Sequence, residues 1–398
     1  MNKTSFSTSK KISLRDFSSA QKRREFLEKE LQIKLDNITH FSFTQDQVTG
    51  RNIENLIGAT QIPLGAAGPL RIHLEGAKAH LRGVFKDYYI PLATTEGALV
   101  ASVSRGCKAI NEAGGTTVLI EDVGQTRGPV FHTKGILHSQ QIKTWIEKNF
   151  KQLKKVTDST SSRLKLLDIL VSFEGKNLYA RFGYSTSDAM GMNMVTIATQ
   201  QAAYLIEKET KAQCIALAGN YDIDKKPAWL NFIKGRGKKA WAEVEIDKKI
   251  VKEVLKTTPQ EIVQVVKSKT HLGSIMSGSL GFNSHFANII AAIFASCGQD
   301  LAHVVEGSLG LTDAEILDNG DLYFSIYLPS LQLGTVGGGT HLPTQQEALK
   351  IMKVTNVLEF AQVTAGAVLA GELSLIASLA QGTLAKAHKK LGRNIKDL

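Results

Sequence analysis

Length, composition and charge indicate a folded protein with more than one domain. At roughly 150 residues per domain, 398 residues allow two or three domains. Hydrophobic residues make up 43% of the chain and charged residues 21%, which excludes a disordered class. The net charge of +11 favours an anionic partner: nucleic acid, a membrane surface or a phosphorylated small molecule. Three separated cysteines, Cys107, Cys214 and Cys297, exclude a disulfide framework and a cysteine-based zinc site, and they suit a reducing compartment.

No segment predicts export or membrane insertion. The N-terminus lacks the apolar stretch of a secretory signal. The apolar run from Phe286 to Cys297 is too short to span a bilayer, and Glu372 interrupts the other apolar run near the C-terminus. We therefore expect a soluble, cytoplasmic protein with no membrane partner.

The first fifty residues are polar and basic, and they predict a small helical N-terminal region over 1–50. A helix is expected over 18–31, where Phe26, Leu27 and Leu31 form a thin apolar stripe. This region is interpreted as a cap or arm on the rest of the protein.

Glycine and proline cluster over 57–70, which is typical of a loop followed by short strands. The next segment, Pro91 to Gly97, is expected to open a helix that runs to about Glu112, with Thr94 or Thr95 as its N-cap.

Residues 128–219 have a periodicity of their own and predict an inserted domain. The order of elements is β-α-β-β-α-β, the ferredoxin-like split unit. The predicted strands cover 129–133, 166–173, 178–184 and 212–218, and the predicted helices cover 139–153 and 188–207.

Residues 51–127 and 220–398 are assigned to one large domain of the α+β class. A capping box, Thr258 to Glu261, starts a helix there. Because Ala287 to Ser296 is apolar on every face, this helix is expected at the centre of the large domain. The tail from about Asn356 to Lys390 predicts a long helix with a basic end.

The usual nucleotide-binding motifs are missing, since no Gly-x-Gly-x-x-Gly follows a strand and there is no P-loop. The segment 187–194 is a different candidate, because backbone amides at its helix start could hold a diphosphate and Gly191 would let a ligand approach. The alternative is an ordinary capped helix with Met190 and Met194 in the core, and local physics alone favours that interpretation.

Four further features are weak on their own. Lys225 to Lys239 holds six basic residues and no acidic one, which fits either a solvated surface or a lysine held beside an acid to stabilise an oxyanion. Asp300 follows the apolar helix, where the helix dipole disfavours an acid, so it needs a cationic partner. Glu96 could be a first-turn acid, and His388 could be a surface residue.

Taken together, these segments resemble the motif set of the hydroxymethylglutaryl-CoA (HMG-CoA) reductase family, in the family's order and from about Ser18 to Arg393. They are closer to the NADPH-using class shared by eukaryotes and archaea than to the bacterial class. The motifs that carry the resemblance are Glu54 to Gly58, Pro91 to Gly97, Asp188 to Met194, Gly219 to Tyr221, Asp224 to Pro227, Gly298 to Asp300 and Gly334 to Thr340.

The resemblance implies reduction of HMG-CoA to mevalonate and CoA through mevaldehyde, with two NADPH per turnover, in isoprenoid biosynthesis. It implies a catalytic role for four residues. Lys225 would stabilise the oxyanion, and Asp300 would pair with Lys225 and couple it to Glu96, the proton donor. His388 would protonate the departing CoA thiolate.

Binding residues follow from the resemblance at the matching positions, and no metal is implied. Those expected to contact HMG-CoA are Arg127, Asp224, Lys226, Lys269, Asn288, Ser102 and Arg105. Those expected to contact NADPH are Ser162, Arg163, Asp188, Met190, Gly191, Met192, Asn193, Gly337 and Gly338. Arg163 favours NADPH over NADH, since a guanidinium suits a phosphate dianion. Departures from the family pattern at Ser104, Ala218 and Gly281 bear on substrate affinity.

The resemblance also implies a homodimer or homotetramer and no nucleic-acid partner. Two alternatives stay open. One is the same fold using NADH or oxidising mevalonate. The other is a non-catalytic CoA- or nucleic-acid-binding protein on a retired reductase scaffold, against which the four retained catalytic residues argue.

Overall fold

A computed structural model describes residues 16–73 and 85–382 as a mixed α/β protein. The strands are β1 Leu64–His73, β2 Phe85–Ala93, β3 Thr117–Arg127, β4 Val130–His132, β5 Lys165–Glu174, β6 Asn177–Ser185, β7 Gln213–Ala216, β8 Gly237–Ile246, β9 Leu311–Ile316 and β10 Leu322–Leu331. The helices are α1 Ala20–Leu31, α2 Gln45–Val48, α3 Leu99–Glu112, α4 Ile136–Lys148, α5 Phe150–Asp158, α6 Met192–Thr210, α7 Trp229–Lys234, α8 Lys248–Ile250, α9 Pro259–Val265, α10 Ser274–Ser277, α11 Phe286–Ser296, α12 Val304–Gly307, α13 Pro343–Met352 and α14 Val357–Ala380. Short 3₁₀ turns cover Asn37–Thr39, Leu301–His303 and Gly338–His341, and π-helical turns cover Val251–Leu255 and Val266–Gly273.

Helix α1 forms where it was predicted, but Arg23, which is not part of the predicted apolar stripe, attaches it to the rest of the protein. The Ser19 side chain caps it by accepting from Lys22 N. Arg23 is buried and donates to the carbonyls of Phe17 and Leu56, whereas Leu31 is 57% exposed. The predicted apolar stripe is therefore only part of the contact, and a buried guanidinium joins this helix to the main body.

The predicted β-α-β-β-α-β order is present in the middle of the chain. The strands pair antiparallel in the order β7-β4-β6-β5, with α4, α5 and α6 as the helical segments. The single helix expected over 139–153 is two helices, because the chain leaves helical geometry at Asn149 (φ −106°, ψ 21°). This unit has its own apolar cluster, which includes Phe131, Phe182 and Ile206.

Strand β3 joins this unit to the rest of the sheet. Residues Gln125 to Arg127 pair with β6, while Thr117 to Gly124 pair with β8, which continues the sheet to β10 and β9. The chain of β3 therefore runs from the large hydrophobic core to the edge of the ferredoxin-like unit.

The helix predicted to start at Pro91 begins later. Strand β2 continues through Ala93, and α3 starts only at Leu99, because Ala98 has a left-handed backbone (φ 76°). Thr94 does make a local bond, since its Oγ1 accepts from Glu96 N at 3.0 Å. The glutamate thus lies in the turn before the helix and not inside its first turn.

The centre of the large core is α14, with α11 beside it. Helix α11 is largely buried, as predicted, but α14 has 24 residues and most of them are buried. Gly106 of α3 allows close approach, since a Cβ there would lie 1.9 Å from a backbone oxygen of α14. The expected single central helix is therefore a packed set of three helices.

Helix α14 is long and apolar enough to cross a membrane by length and composition alone. However, 83% of its most apolar window is buried within the protein. Glu372 at its centre is fully buried and accepts from Ser284 N, His285 N and the Thr312 hydroxyl. These contacts are those of a core helix.

Candidate active site

Lys225 and Asp300 form a partly exposed ion pair. Lys225 Nζ lies 2.8 Å from Asp300 Oδ2, and the two side chains are 39% and 38% exposed. Partial burial raises the pKa of Asp300, but the bond from Lys225, the backbone N–H of Ala302 and the charge of His303 outweigh it and hold the pKa below its usual value. The pair is charged, and part of the lysine remains accessible.

The predicted need of Asp300 for a cation is confirmed, but its place in the fold differs from the expectation. Helix α11 ends at Ser296, and Asp300 lies four residues further on. Its Oδ1 accepts from Ala302 N and caps the turn Leu301–His303. The acid therefore sits at a favourable N-terminal end and not against the dipole of α11.

A buried charge network lies directly behind this pair. Glu306 Oε1 accepts from Lys225 N (3.2 Å), from the Arg236 guanidinium (2.8 Å) and from His303 Nδ1 (2.7 Å). Arg236, His303 and Glu306 are fully buried. The Arg236 guanidinium also lies 3.0 Å from Asp224 Oδ1. Lys225 itself has a left-handed backbone, with φ 56°.

The basic run 225–239 is only partly a solvated surface: Lys225, Lys226 and Lys234 are exposed, and two other members are buried. Arg236 is fully buried, and Lys238 is 3% exposed and lies 2.7 Å from Asp122. Burial of these charges requires acidic partners from other elements, which the sequence pattern could not show.

Glu96 is held by a separate contact. Asn288, on the exposed side of the otherwise buried α11, donates from Nδ2 to Glu96 Oε2 at 2.8 Å. Within the part of the chain that the structure describes, no hydrogen bond or ion pair joins Glu96 to Lys225 or Asp300. The direct coupling of the two acids stays a prediction.

A cleft of about 570 Å³ is lined by Asn288, the partner of Glu96, and by Pro227, which follows the two lysines; Glu96, Lys225 and Asp300 are not among its lining residues. Its walls come from the loop 279–285, the start of α11 and helix α12 with the residues after it. Residues that line the cleft include Pro227, Ser284, His285, Asn288, Val305 and Ser308. Asn288 lines the cleft and is hydrogen-bonded to Glu96. Pro227, which follows Lys225 and Lys226 in the chain, also lines it.

The remaining predicted substrate residues differ in their surroundings. Arg127 is bound on two sides, to Asp222 at 3.2 Å and to the Thr196 hydroxyl of α6 at 2.7 and 3.0 Å. Lys226 is exposed and donates to the Asp224 carbonyl. Lys269 is exposed on the turn Val266–Gly273, does not line the cleft, and has no hydrogen bond or ion pair among the described residues.

Ser102 and Arg105 connect α3 to α14. The Ser102 hydroxyl lies 2.9 Å from that of Ser374, and the Arg105 guanidinium donates to the Ser374 hydroxyl and carbonyl and to the Ser378 hydroxyl. Burial lowers the pKa of the Arg105 guanidinium. Arg105 thus stands near the C-terminal end of α14, from which the tail with His388 continues; His388 itself lies outside the described residues.

Two loops that hold predicted cofactor residues meet, one before α6 and one after β10. The Asp188 carbonyl accepts from Thr335 N at 2.9 Å, and its carboxylate caps α14 by accepting from Val357 N at 3.0 Å. Ala189 bridges to Val336. Asp188 is therefore bound within the protein and holds both loops against α14.

The residues after Asp188 start helix α6. The Met190 carbonyl and sulfur accept from Gln125, and the Met192 sulfur lies 3.0 Å from the Arg236 guanidinium. Gly191 is the N-cap with φ 90°, and a Cβ there would lie 2.4 Å from the Thr186 side chain. The glycine is required by the fold itself, beyond any need for ligand approach. Asn193 is exposed.

Gly337 and Gly338 have positive φ angles of 80° and 55°, and a Cβ at either would meet no described atom within 4 Å. Space is therefore open on the side where a Cβ would stand, while both carbonyls are hydrogen-bonded within the protein. Ser162 and Arg163 are exposed in the turn between α5 and β5. The exposed Arg163 guanidinium is therefore accessible to an anion.

Comparison with known proteins identifies the family of this chain. A family model for hydroxymethylglutaryl-coenzyme A reductase matches residues 19–393. The chain belongs to the HMG-CoA reductase family. It is 50% identical over 380 residues to the 3-hydroxy-3-methylglutaryl-coenzyme A reductase of Methanocaldococcus jannaschii, covering 93% of this chain and 92% of the relative. The reductase of Methanothermobacter thermautotrophicus is also 50% identical, over 375 residues, with the same coverage of both chains.

Among solved structures, this reductase resembles the class II HMG-CoA reductase of Streptococcus pneumoniae bound to NADPH in open conformations. The TM-score is 0.66 at 19% identity, and the match covers 92% of this chain and all of that chain. At this identity the likeness shows a shared fold. The archaeal relatives at 50% identity are far more similar in sequence.

Sequence reasoning about this reductase missed its buried residues. In the sequence, Arg236 is one of the six basic residues of 225–239, and no motif singles out His303 or Glu306. The spacing of His303 and Glu306 at three and six residues after Asp300 places them on one side of the turns Leu301–His303 and α12. This spacing is the feature of the sequence that could have indicated that His303 and Glu306 lie close to Asp300.

The cluster Asp224, His303 and Glu306 brings three possible metal-ligand atoms within 4.8 Å of one another. The Arg236 guanidinium lies against both carboxylates, at 3.0 and 2.8 Å. A side-chain cation therefore already compensates the two acids.

Proposed function

We propose that this reductase converts HMG-CoA to mevalonate and CoA with NADPH as the reductant. The observation that carries the proposal is the Lys225–Asp300 pair at 2.8 Å, in which the lysine side chain is 39% exposed and lies two residues before Pro227 of the cleft wall. A fixed cation at this place can stabilise an oxyanion that develops on a thioester carbonyl. The relatives at 50% identity carry the name of this activity.

The cofactor side fits NADPH. Helix α6 has 19 residues, and its first N–H groups lack partners within the helix and give its N-terminus a partial positive charge. Gly337 and Gly338, which have open space where a Cβ would stand, lie in the loop that pairs with the loop before α6. We infer that Asp188 to Asn193 and these glycines hold the diphosphate and nicotinamide side, with Ser162 and Arg163 at the 2′-phosphate. When bound there, NADPH supplies hydride to the carbonyl carbon.

In the first reduction, the thioester carbonyl carbon gains hydride and its oxygen becomes an oxyanion beside Lys225. Asp300 orients the lysine through their 2.8 Å contact, and its lowered pKa leaves the carboxylate charged at neutral pH. When the intermediate collapses, the C–S bond breaks and CoA leaves as a thiolate. His388 is proposed to give that thiolate a proton, so that it cannot attack mevaldehyde again.

In the second reduction, the aldehyde carbon gains hydride and its oxygen needs a proton to become the alcohol of mevalonate. Glu96 is proposed to supply it, held at the cleft by Asn288. Lys226, Asp224, Arg127 and Lys269 are proposed to contact the hydroxymethylglutaryl group, and Ser102 and Arg105 the CoA.

We further propose the division into 1–50, a large substrate domain of 51–127 and 220–398, and a cofactor-binding insertion of 128–219. The separate apolar clusters support it.

We propose a homodimer or homotetramer acting in the cytoplasm. Leu272, Ile275 and Met276 are 51%, 61% and 87% exposed and follow Lys269 on one helical segment. Such a group of exposed apolar side chains favours burial against a second copy. Light scattering should show an oligomer, and Met276→Glu should weaken it; a wild-type monomer at micromolar concentration would contradict the proposal.

The test of function is NADPH oxidation in the presence of HMG-CoA, with NADH as the parallel reductant. We expect turnover with NADPH and a preference for NADPH over NADH. The Arg163→Ala substitution should reduce that preference. A strong NADH preference in the wild type would remove the assignment of Arg163, and no turnover with either would reject the function. For His388→Gln, mevaldehyde reduction should survive better than thioester reduction; equal loss of both would remove its assigned role.

A further inference from the structure

The buried network of Arg236, His303 and Glu306 lies behind the Lys225–Asp300 pair and contacts both members of it. His303 is fully buried and lies between Glu306 and Asp300. Its Nδ1 is 2.7 Å from Glu306 Oε1, and its Nε2 is 3.6 Å from Asp300 Oδ2, the oxygen that also contacts Lys225. The His303 ring therefore contacts Asp300 on one edge and, on the other, Glu306, which accepts a hydrogen bond from the Lys225 backbone.

The hydrogen-bond roles follow from chemistry. A carboxylate only accepts, so the bond between His303 and Glu306 requires a proton on Nδ1. The contact of Nε2 with Asp300 is beyond hydrogen-bond distance, so its influence there is steric and electrostatic. In agreement, the charge of His303 contributes to the lowered pKa of Asp300.

Glu306 determines the backbone of Lys225. Its Oε1 accepts from Lys225 N, in a residue whose left-handed φ of 56° is unfavourable for any side chain with a Cβ. A conformation of this kind persists only where its surroundings hold it. Arg236 neutralises Glu306, and His303 fixes the carboxylate that makes the bond.

We propose that His303 is a positioning residue for the Lys225–Asp300 pair. It orients Glu306, whose Oε1 holds the lysine backbone, and its other edge packs against the Asp300 carboxylate. The kinetic part of this inference rests on the proposed function, while the effect on Lys225 does not.

Two substitutions separate positioning from simple packing. Asn has its amide nitrogen at the position of Nδ1, so His303→Asn can keep the bond to Glu306. Gln has its amide nitrogen at the position of Nε2, so His303→Gln loses that bond. His138→Gln is the matched control, because His138 is a hydrogen-bonded, half-buried histidine of α4 outside the site.

Three measurements are made on the full-length protein: thermal midpoint, kcat and KM for HMG-CoA, and the rate of lysine acylation by an amine-reactive ester. Acylation is followed by peptide mass spectrometry at Lys225, with the exposed Lys226 in the same peptide as internal reference. Acylation needs the free amine, so loss of the ion pair should speed it at Lys225 only.

We expect H303Q to lower kcat by roughly ten- to hundredfold, as small misplacements of catalytic groups do, with little change in KM. Lys225 acylation should accelerate several-fold while Lys226 stays unchanged. H303N should stay within about threefold of wild type, and H138Q should match wild type.

The proposal is overturned if folded H303Q retains wild-type kcat and Lys225 acylation, or if H303N and H303Q lose activity equally together with thermal stability. If H303Q does not fold, Glu306→Asp replaces it, since it withdraws the carboxylate from Lys225 N and keeps a charge beside Arg236. A wild type without turnover would reject the proposed function, and the acylation rates would still decide the positioning.

Discussion

Replacing Lys225 by alanine should remove activity and leave the fold intact. Both side chains of the Lys225–Asp300 pair are more than a third exposed, so their attraction is screened and contributes at most about 1 kcal/mol to folding. Alanine also keeps the Cβ, so the cost of the left-handed backbone does not change. The main cost to the folded protein is a less compensated Asp300, which has access to water.

The effect on the reaction is much larger. Removal of one preorganised group that stabilises an oxyanion costs about 10²–10³ in kcat, or roughly 3–4 kcal/mol of transition-state stabilisation. The variant should therefore differ from wild type by a few degrees at most in thermal midpoint and by at least about a hundredfold in NADPH oxidation with HMG-CoA.

Lys154→Ala is the matched control. Lys154 is also 39% exposed and lies 2.9 Å from Asp158, in a pair on the ferredoxin-like unit away from the cleft. It should lose a similar small amount of stability and retain activity. Equal turnover in Lys225→Ala and wild type would refute the assigned role of the lysine, and unfolding of the variant would refute the reasoning about exposure.

Three further substitutions test other parts of the structure. Gly191→Ala should weaken NADPH binding and lower stability by about 1–3 kcal/mol, since φ is 90° and the new Cβ would lie 2.4 Å from a neighbouring side chain; Gly175→Ala, at φ 54° with no atom within 4 Å, measures the backbone cost alone, and an equal loss in both would exclude the steric part. Partial burial raises the pKa of Glu359, but hydrogen bonds led by the Lys86 ammonium outweigh it and lower the pKa to about 2 from 4.5. A lowered pKa gives stability above pH 4.5 that is lost as the pH falls towards 2, so urea midpoints of wild type and Glu359→Gln should differ at pH 6 and converge near pH 2; a constant difference would contradict the linkage. Gly106→Ala should destabilise by about 1–3 kcal/mol in urea unfolding, because its Cβ would lie 1.9 Å from the backbone of α14, and a neutral change would mean that the two helices separate easily.

Much of the fold follows from local sequence. The capping box at Thr258 forms as predicted, and Asn356 caps α14, where the long C-terminal helix was expected to begin. The strand predicted over 178–184 lies within β6. These features depend on neighbours within a few residues, which periodicity and capping patterns record directly.

Errors arose where distant contacts decide the local structure. The helix expected from Pro91 is a strand up to Ala93, because β2 pairs along its length with β1, which lies earlier in the chain. The basic run 225–239 is partly buried, because Asp122 and Glu306 arrive from other elements.

For the site, the sequence by itself determined the chemistry that the chain carries, namely a lysine, its acid partner and a glycine-bearing helix start in the family's order. Only the tertiary structure decided that Asn288 holds Glu96. It alone placed the buried group of Arg236, His303 and Glu306 behind the pair. The physical reason is burial: a charge removed from water must be compensated by partners that only the folded chain brings within reach.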